Sequence, residues 1–202
     1  MTTRTIDATE ARDSGRALRL RAATRSAHER LDDAVMALDP FASRAQYTQL
    51  LAIHYRFHRA IAPLYRAPAL TALIPDLTDR RRLEAIEADL ADLGLPRPVS
   101  DEPQPFAAAT PDVATALGWL YVAEGSTLGA AVLLKAARAI GVDAQFGARH
   151  LAGHDDGRAQ HWRAFTAALD RATLDATAED RVTSGAIDAF AYVRRLVETA
   201  RA

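Results

Sequence analysis

The chain has 202 residues and a mass of 21.9 kDa, and its 49% hydrophobic and 25% charged residues are ordinary for a globular protein. This composition excludes disordered and fibrous classes. The net charge of −1 provides no overall field that would recruit nucleic acid or anionic lipid. Because the chain has no cysteine, disulfides, thiolate catalysis and cysteine-ligated clusters are also excluded. Any bound metal must be held by histidine or carboxylate.

The apolar residues recur every three or four positions along the chain, which predicts an all-α fold. We expect a flexible arm over residues 1–14 and one helical domain over 15–202. The arm is polar and lacks the apolar segment of an export signal, so a cytoplasmic location is expected. The predicted helices span about 15–33, 43–66, 79–93, 112–140, 157–171 and 178–200.

Local signals mark several helix ends. Ser43 follows the break at Pro40 and is a predicted N-cap, and Gly94 is the predicted C-terminal stop of the third helix. Residues 95–111 contain five prolines, which cannot continue a helix, so a surface connection is expected there.

One segment, residues 115–140, is apolar and long enough to cross a bilayer. Glu124 lies in its middle, and Lys135 and Arg138 interrupt its second half. Charged residues are costly at the centre of a membrane. We therefore expect a buried helix and no membrane association.

A histidine on the first helix has charged neighbours on its own side. His28 lies at the margin of the apolar face, with Arg21 and Arg25 on the same margin. Asp32, one turn later, could accept a hydrogen bond from Nδ1 and leave Nε2 free as a ligand. In one interpretation His28 is a half-buried structural histidine beside solvated arginines. In the other, a metal ligand and two anion-binding residues share one face, as a haem with two propionates would require.

Three glycines fall in one narrow stripe of the central helix, at Gly118, Gly125 and Gly129. Glycine inside a helix lowers its stability by ~1 kcal/mol relative to alanine, so three glycines on one side of a helix require an explanation. Close helix packing and a helix kink are two explanations. A third is a flat ligand that approaches the backbone more closely than a Cβ would permit. Ser126 would then place a hydroxyl at the ligand's edge and could anchor water there.

These two segments, 18–32 (LRLRAATRSAHERLD) and 121–133 (YVAEGSTLGAAVL), resemble the haem oxygenases, especially the bacterial branch often found with phytochrome photoreceptors. The resemblance covers about residues 16–200. It implies a single helical bundle that holds haem between a proximal N-terminal helix and a glycine-rich distal helix.

The resemblance implies roles for the residues of the first helix. His28 corresponds to the proximal ligand of the haem iron, and Asp32 corresponds to the acidic residue that interacts with it. Arg21 and Arg25 stand where the family has basic residues directed at the haem propionates.

It also implies roles in two later helices. Gly125 and Gly129 match the two distal glycines, and Arg163 is the best match for a third basic contact. Ser126 is a departure, since many members have an aspartate there that orders the water network. A serine could position water without supplying a carboxylate.

The implied activity is oxidative opening of haem to biliverdin with release of iron and carbon monoxide, so that haem is both cofactor and substrate. Electrons must come from an external donor, a ferredoxin or flavin reductase, because the chain has neither cysteines for a cluster nor a G-x-G-x-x-G fingerprint. The arginines around His28 are a candidate docking surface for an acidic donor. A bacteriophytochrome is a candidate acceptor of the product.

Other interpretations remain at this stage. His54 and His58, like His150 and His154, are four residues apart, but no carboxylate cluster of the right spacing accompanies them. We expect structural or solvated roles for these histidines rather than a zinc or di-iron site. The missing cysteine argues against the thiaminase-like relatives of the fold. A haem carrier or sensor without turnover is the alternative function, and Ser126 is the feature that favours it.

Overall fold

A computed structural model of the chain describes residues 15–99, 104–106 and 111–201. In these residues the regular structure comprises seven α-helices and four short 3₁₀ helices, and the one β-type contact is an isolated bridge between Asp143 and Gly147. The all-α prediction is confirmed. The arm predicted for residues 1–14 lies outside the described residues.

Each of the six predicted helices corresponds to an observed one, and the sequence pattern misses only the six-residue α3. The α-helices are, in chain order, α1 (Arg16–Met36), α2 (Arg44–Ile61), α3 (Pro68–Leu73), α4 (Leu83–Asp92), α5 (Val113–Ala137), α6 (Arg158–Arg171) and α7 (Ala176–Arg201).

The predicted caps form as expected. The Ser43 hydroxyl accepts a hydrogen bond from the backbone N–H of Gln46 at 3.2 Å, which satisfies one free donor at the start of α2. Gly94 has a φ of 68°, and the next N–H, that of Leu95, bonds to the carbonyl of Leu90 at 2.9 Å. This is a Schellman motif, which needs a left-handed residue and therefore favours glycine.

Helix α2 is shorter than the predicted 43–66. Its α-helical part ends at Ile61, and the chain tightens into a 3₁₀ helix over Ala62–Arg66. Pro63 lies in the first turn of that segment and has no N–H to donate to the α-helical ladder. The predicted third helix is also divided, into a 3₁₀ helix at Leu77–Arg80 and α4.

Helices α5 and α7 cross with their backbones in direct contact. A Cβ added at Gly118 would lie less than 3.0 Å from backbone atoms of Val182 and Ala186, and one added at Gly185 would meet Thr115 in the same way. Only glycine permits so close an approach. This crossing sets the position of the central helix against the last one.

The apolar segment Val113–Ile140 is long enough to cross a membrane by length and composition, but half of it is buried in the protein. Every residue from 116 to 124 is buried, and Glu124 forms a buried ion pair with Arg80. This is a core helix, as predicted. Its second half differs, because Leu128 and Val132 are exposed by 42% and 72%.

Candidate functional site

His28 lies on an exposed face of α1, and two neighbouring side chains orient its imidazole ring. Its Nδ1 lies 3.0 Å from an Asp32 carboxylate oxygen, and its ring meets Phe190 of α7 edge-on, with centroids 5.7 Å apart. The His28 side chain is 60% exposed, so the histidine is not half-buried as the structural interpretation supposes. Within the described residues Nε2 has no partner. An acidic group thus fixes one ring nitrogen while the other stays available.

Arg21 and Arg25 are exposed and share this side of α1. In the part of the chain that the structure describes, neither guanidinium forms a hydrogen bond or ion pair, whereas Arg19 on the same helix pairs with Glu179 at 3.0 Å. An unpaired guanidinium presents a planar fork of donors that matches a carboxylate. The two side chains are therefore free to bind an external anion.

Two of the three stripe glycines are uncovered. A Cβ added at Gly129 would meet nothing within 4 Å, and one at Gly125 would meet only the ring edge of Trp162, at 3.6 Å. Gly118 is different, because α7 covers it completely, as described above. The interpretation that all three glycines face a flat ligand is thus wrong for Gly118, whose role is helix packing.

The uncovered stripe continues as an apolar surface. Leu128 and Val132 lie on the same part of α5 as Gly129, and both are exposed. Exposed single apolar residues are common, but a contiguous patch next to uncovered glycine indicates a surface that binds something apolar. The second half of α5 is therefore a candidate wall of a ligand cleft.

Ser126 is exposed, and its hydroxyl donates to the carbonyl of Ala123 at 2.7 Å. Thr127 makes the equivalent bond to Glu124 at 2.6 Å. Side-chain bonds of this kind compete with the helical ladder and favour bending. With its proton committed to the backbone, the Ser126 oxygen can accept a hydrogen bond from water but is a poor donor to it.

The two helices that carry the predicted site meet where Tyr121 of α5 lies beside Thr24 and Arg21 of α1. Burial raises the pKa of Tyr121, while the charge of Arg21 and the neighbouring Thr24 hydroxyl oppose that rise. Tyr121 also packs against Trp162, with ring centroids 5.6 Å apart. None of these contacts is predicted from the sequence. Their positions, one turn before His28 and one turn before Gly125, are the signal that could have identified Thr24 and Tyr121.

A buried polar cluster lies behind Gly125. Glu124 accepts hydrogen bonds from Arg80 at 3.0 Å and from the Tyr65 hydroxyl at 3.1 Å. Burial raises the pKa of Glu124, and Arg80 opposes that effect. The Arg80 side chain is fully buried and also donates to the carbonyl of His161 at 3.1 Å. The cluster ties α5 to the chain on either side of α3, and a charged residue in the most apolar helix was its signal.

Two of the remaining histidines, His54 and His150, form a hydrogen-bonded chain with Asp89. His54 Nδ1 lies 2.9 Å from His150 Nε2, and His150 Nδ1 lies 2.7 Å from a carboxylate oxygen of Asp89. The sequence shows no carboxylate cluster of the right spacing beside these histidines, and the single carboxylate that reaches His150 is Asp89 of α4. Among the described residues no group of three or more potential ligands is arranged for a metal ion.

Arg163 lies on α6 beside Trp162 and is exposed. Its backbone carbonyl accepts a hydrogen bond from Thr166, and among the described residues its side chain forms no hydrogen bond or ion pair. The structure thus links α1 to α5 through Tyr121, and leaves Arg163 as an exposed cation on a neighbouring helix.

Comparison with known proteins shows the family to which the fold and the sequence are similar. A family model described as "Heme oxygenase" matches residues 15–199. "Heme oxygenase PigA" of Pseudomonas aeruginosa is 46% identical over 187 residues, which are 93% of each chain. A crystal structure of the NO- and CO-bound haem oxygenase from Neisseria meningitidis superposes with a TM-score of 0.87 and 39% identity, over 92% of each chain.

Proposed function

Because the chain belongs to the haem oxygenase family and is therefore an enzyme that degrades haem to biliverdin, we propose that His28 is the ligand of the haem iron. The observation that carries this proposal is the state of the ring: Nδ1 is bonded to Asp32 and Nε2 is unpartnered on an open face of α1. Metal-binding histidines usually hold their second nitrogen in this way, which fixes the tautomer and raises the basicity of the ligand.

The chain's own residues fit a haem. Haem combines a metal that needs an axial ligand, two carboxylates at one edge and a flat apolar ring. His28 supplies an open nitrogen, Arg21 and Arg25 supply unpaired guanidinium groups, and the surface around Gly129 is apolar and uncovered. We propose that these two arginines hold the propionates, and that Arg163 is a third basic contact.

We propose that Gly125 and Gly129 form the opposite wall of the cleft. Bound haem, as the substrate, supplies the oxygen chemistry that opens its own ring when dioxygen and electrons are provided. The glycine backbone lets this wall approach the ring closely, and the cluster around Glu124 holds the wall from behind. Restricted space above the ring limits the position of dioxygen.

The catalytic role that we propose for Ser126 is to position water. Its hydroxyl proton is bonded to Ala123, so the oxygen accepts a hydrogen bond from a water molecule in the cleft. Such a water can deliver a proton to the reacting oxygen without a nearby carboxylate. This accounts for an oxygenase with serine at a position where many relatives have aspartate.

The reaction needs electrons from a reductase, and we propose a ferredoxin or flavin reductase that docks on the exposed arginines of α1. The wider proposals are a cytoplasmic location and a bacteriophytochrome as acceptor of biliverdin. Both rest on the resemblance and on the sequence. A pull-down with an acidic ferredoxin, repeated after charge reversal at Arg21 and Arg25, tests the docking surface.

A single-turnover assay tests the function. Hemin is added to the purified protein, followed by a reducing system and air. We expect the Soret band to disappear and biliverdin absorption to grow, with carbon monoxide released. A stable ferric or oxygenated spectrum would instead identify a haem carrier or sensor, the alternative that the relatives do not favour.

A further inference from the structure

A cavity of about 330 Å³ lies at the C-terminal end of α2, between the 3₁₀ helix Ala62–Arg66 and the start of α4. Neither His28 nor Gly125 lines it. Four arginines do: Arg59, Arg66, Arg81 and Arg82. We refer to this space as the arginine cavity. Its size suits a small molecule and is at the lower end of the range for ligand pockets.

The positive charge of the arginine cavity is not neutralised by the described residues that line it. Glu84 is the one carboxylate among its described lining residues, and it pairs with Arg81 at 3.0 Å. Arg82 is held in place by the backbone, since its Nη1 donates to the carbonyl of Ala152 at 2.9 Å. Arg59 and Arg66 are exposed and, in the residues that the structure describes, form no hydrogen bond or ion pair. Two free cations therefore line one small cavity.

A buried polar atom at the same place also lacks a partner. His58 lines the cavity and is only 8% exposed, and its Nδ1 forms no hydrogen bond in the described structure. Leaving a buried polar nitrogen unsatisfied costs free energy, so such atoms normally have a partner. Burial, together with the neighbouring His150 and Arg82, lowers the pKa of His58 to about 3, so the ring is neutral. A neutral imidazole can donate one hydrogen bond to an anion.

We propose that the arginine cavity binds a small oxyanion with two or more negative charges, of the phosphate or polycarboxylate type. Arg59 and Arg66 hold its charge, and His58 donates a hydrogen bond to it. Guanidinium groups pair bidentately with phosphate and carboxylate oxygens, and two of them on one ligand favour more than one negative charge.

The arginine cavity lies close to the haem cleft without being part of it. Tyr65 lines the cavity, and its hydroxyl donates to Glu124, which directly precedes Gly125 on α5. An oxyanion in the cavity therefore lies beside Tyr65, the residue that is hydrogen-bonded to Glu124.

Isothermal titration calorimetry on the haem-loaded protein tests the proposal, with pyrophosphate and citrate as ligands in a chloride-free buffer. Bound haem keeps the arginines of α1 from contributing to the signal. We expect one saturable site per chain for at least one of the two anions. Arg59→Gln and Arg66→Gln should each weaken binding about tenfold, the loss typical of a charge-assisted hydrogen bond.

Arg171→Gln is the matched control, because Arg171 is also exposed and unpaired in the described structure but does not line the cavity. It should bind both anions as the wild type does. Absence of binding of either anion up to ~10 mM, the weak end of specific affinities, would overturn the proposal. So would equal affinities for Arg59→Gln, Arg66→Gln and Arg171→Gln, which would show that the anions bind without a defined site.

Discussion

The Tyr121 side chain of α5 lies against Thr24 of α1, and this contact joins the two helices one helical turn before Gly125 and one turn before His28. It links the two walls of the haem cleft that we propose. Tyr121 is only 9% exposed, so the contact is shielded from water.

Loss of this polar contact should destabilise the haem-free protein. We expect Tyr121→Phe, which removes the buried hydroxyl, to lower the free energy of unfolding by about 1 kcal/mol, the usual net value of a polar interaction of this kind. Urea denaturation of Tyr121→Phe, Thr24→Val and the double variant measures the coupling between the two groups. Strictly additive effects would show that these hydroxyls do not interact.

The two kinds of glycine on α5 should respond differently to substitution. Gly118→Ala forces a Cβ into the backbone of α7 and should cost about 3 kcal/mol of stability, as overpacking does. A Cβ at Gly129 meets no atom within 4 Å, so Gly129→Leu should leave the haem-free protein at least as stable as the wild type. It should nevertheless abolish biliverdin formation, because the side chain takes space above the haem. Normal turnover of Gly129→Leu would contradict the distal role of this stripe.

Charge reversal on α1 tests the propionate contacts. The double variant Arg21→Glu/Arg25→Glu should bind haem at least about tenfold more weakly, because attraction to the propionates becomes repulsion. It should also change the meso carbon that is cleaved, because the propionate contacts set the in-plane orientation of the ring. Arg30→Glu is the control, since Arg30 lies on the opposite side of α1 and bonds to Ser26. Wild-type affinity and product pattern in the double variant would rule out these contacts.

Acid should destabilise the protein through its buried histidines. Burial lowers the pKa of His58 to about 3 and also lowers the pKa of His54, so both stay neutral in the folded state. An unfolded histidine takes up a proton near pH 6.5. The contribution of these histidines to the free energy of unfolding is therefore fully present above about pH 6.5. Below that pH the free energy of unfolding falls, by up to about 1.4 kcal/mol per pH unit for each histidine.

Urea denaturation between about pH 5 and pH 7 measures this slope, in a range above the titration of the carboxylates. The variant His58→Gln removes one titrating group. The slope of its free energy of unfolding against pH should therefore be smaller by the contribution of one proton. An unchanged slope would show that His58 is protonated in the folded state. Asp89, His150 and Arg82 surround the two histidines and should be left intact in this comparison.

The local features of the fold could be predicted from the sequence. The helices follow from the spacing of apolar residues, and the caps at Ser43 and Gly94 follow from neighbours within five residues. The contact between His28 and Asp32 is equally local, because positions four apart lie on one side of a helix. These features do not depend on how the helices pack.

Contacts between helices could not be predicted in this way. Arg80 reaches Glu124 across 44 positions, and His54 reaches His150 across 96, so both pairs depend on the packing of separate elements. Gly118 and Gly129 occupy one stripe of α5, yet α7 covers only Gly118. The stripe was visible in the sequence, but the helix that covers part of it was not.

The most direct test of the central claim is the absorption spectrum of ferric haem bound to His28→Ala. His154→Ala is the control, because His154 is an exposed histidine in a loop away from α1. We predict that His28→Ala loses the histidine-ligated Soret spectrum and binds haem more weakly, that added imidazole restores the spectrum, and that His154→Ala behaves as the wild type does. An unchanged Soret band and unchanged haem affinity in His28→Ala would show that another residue holds the iron.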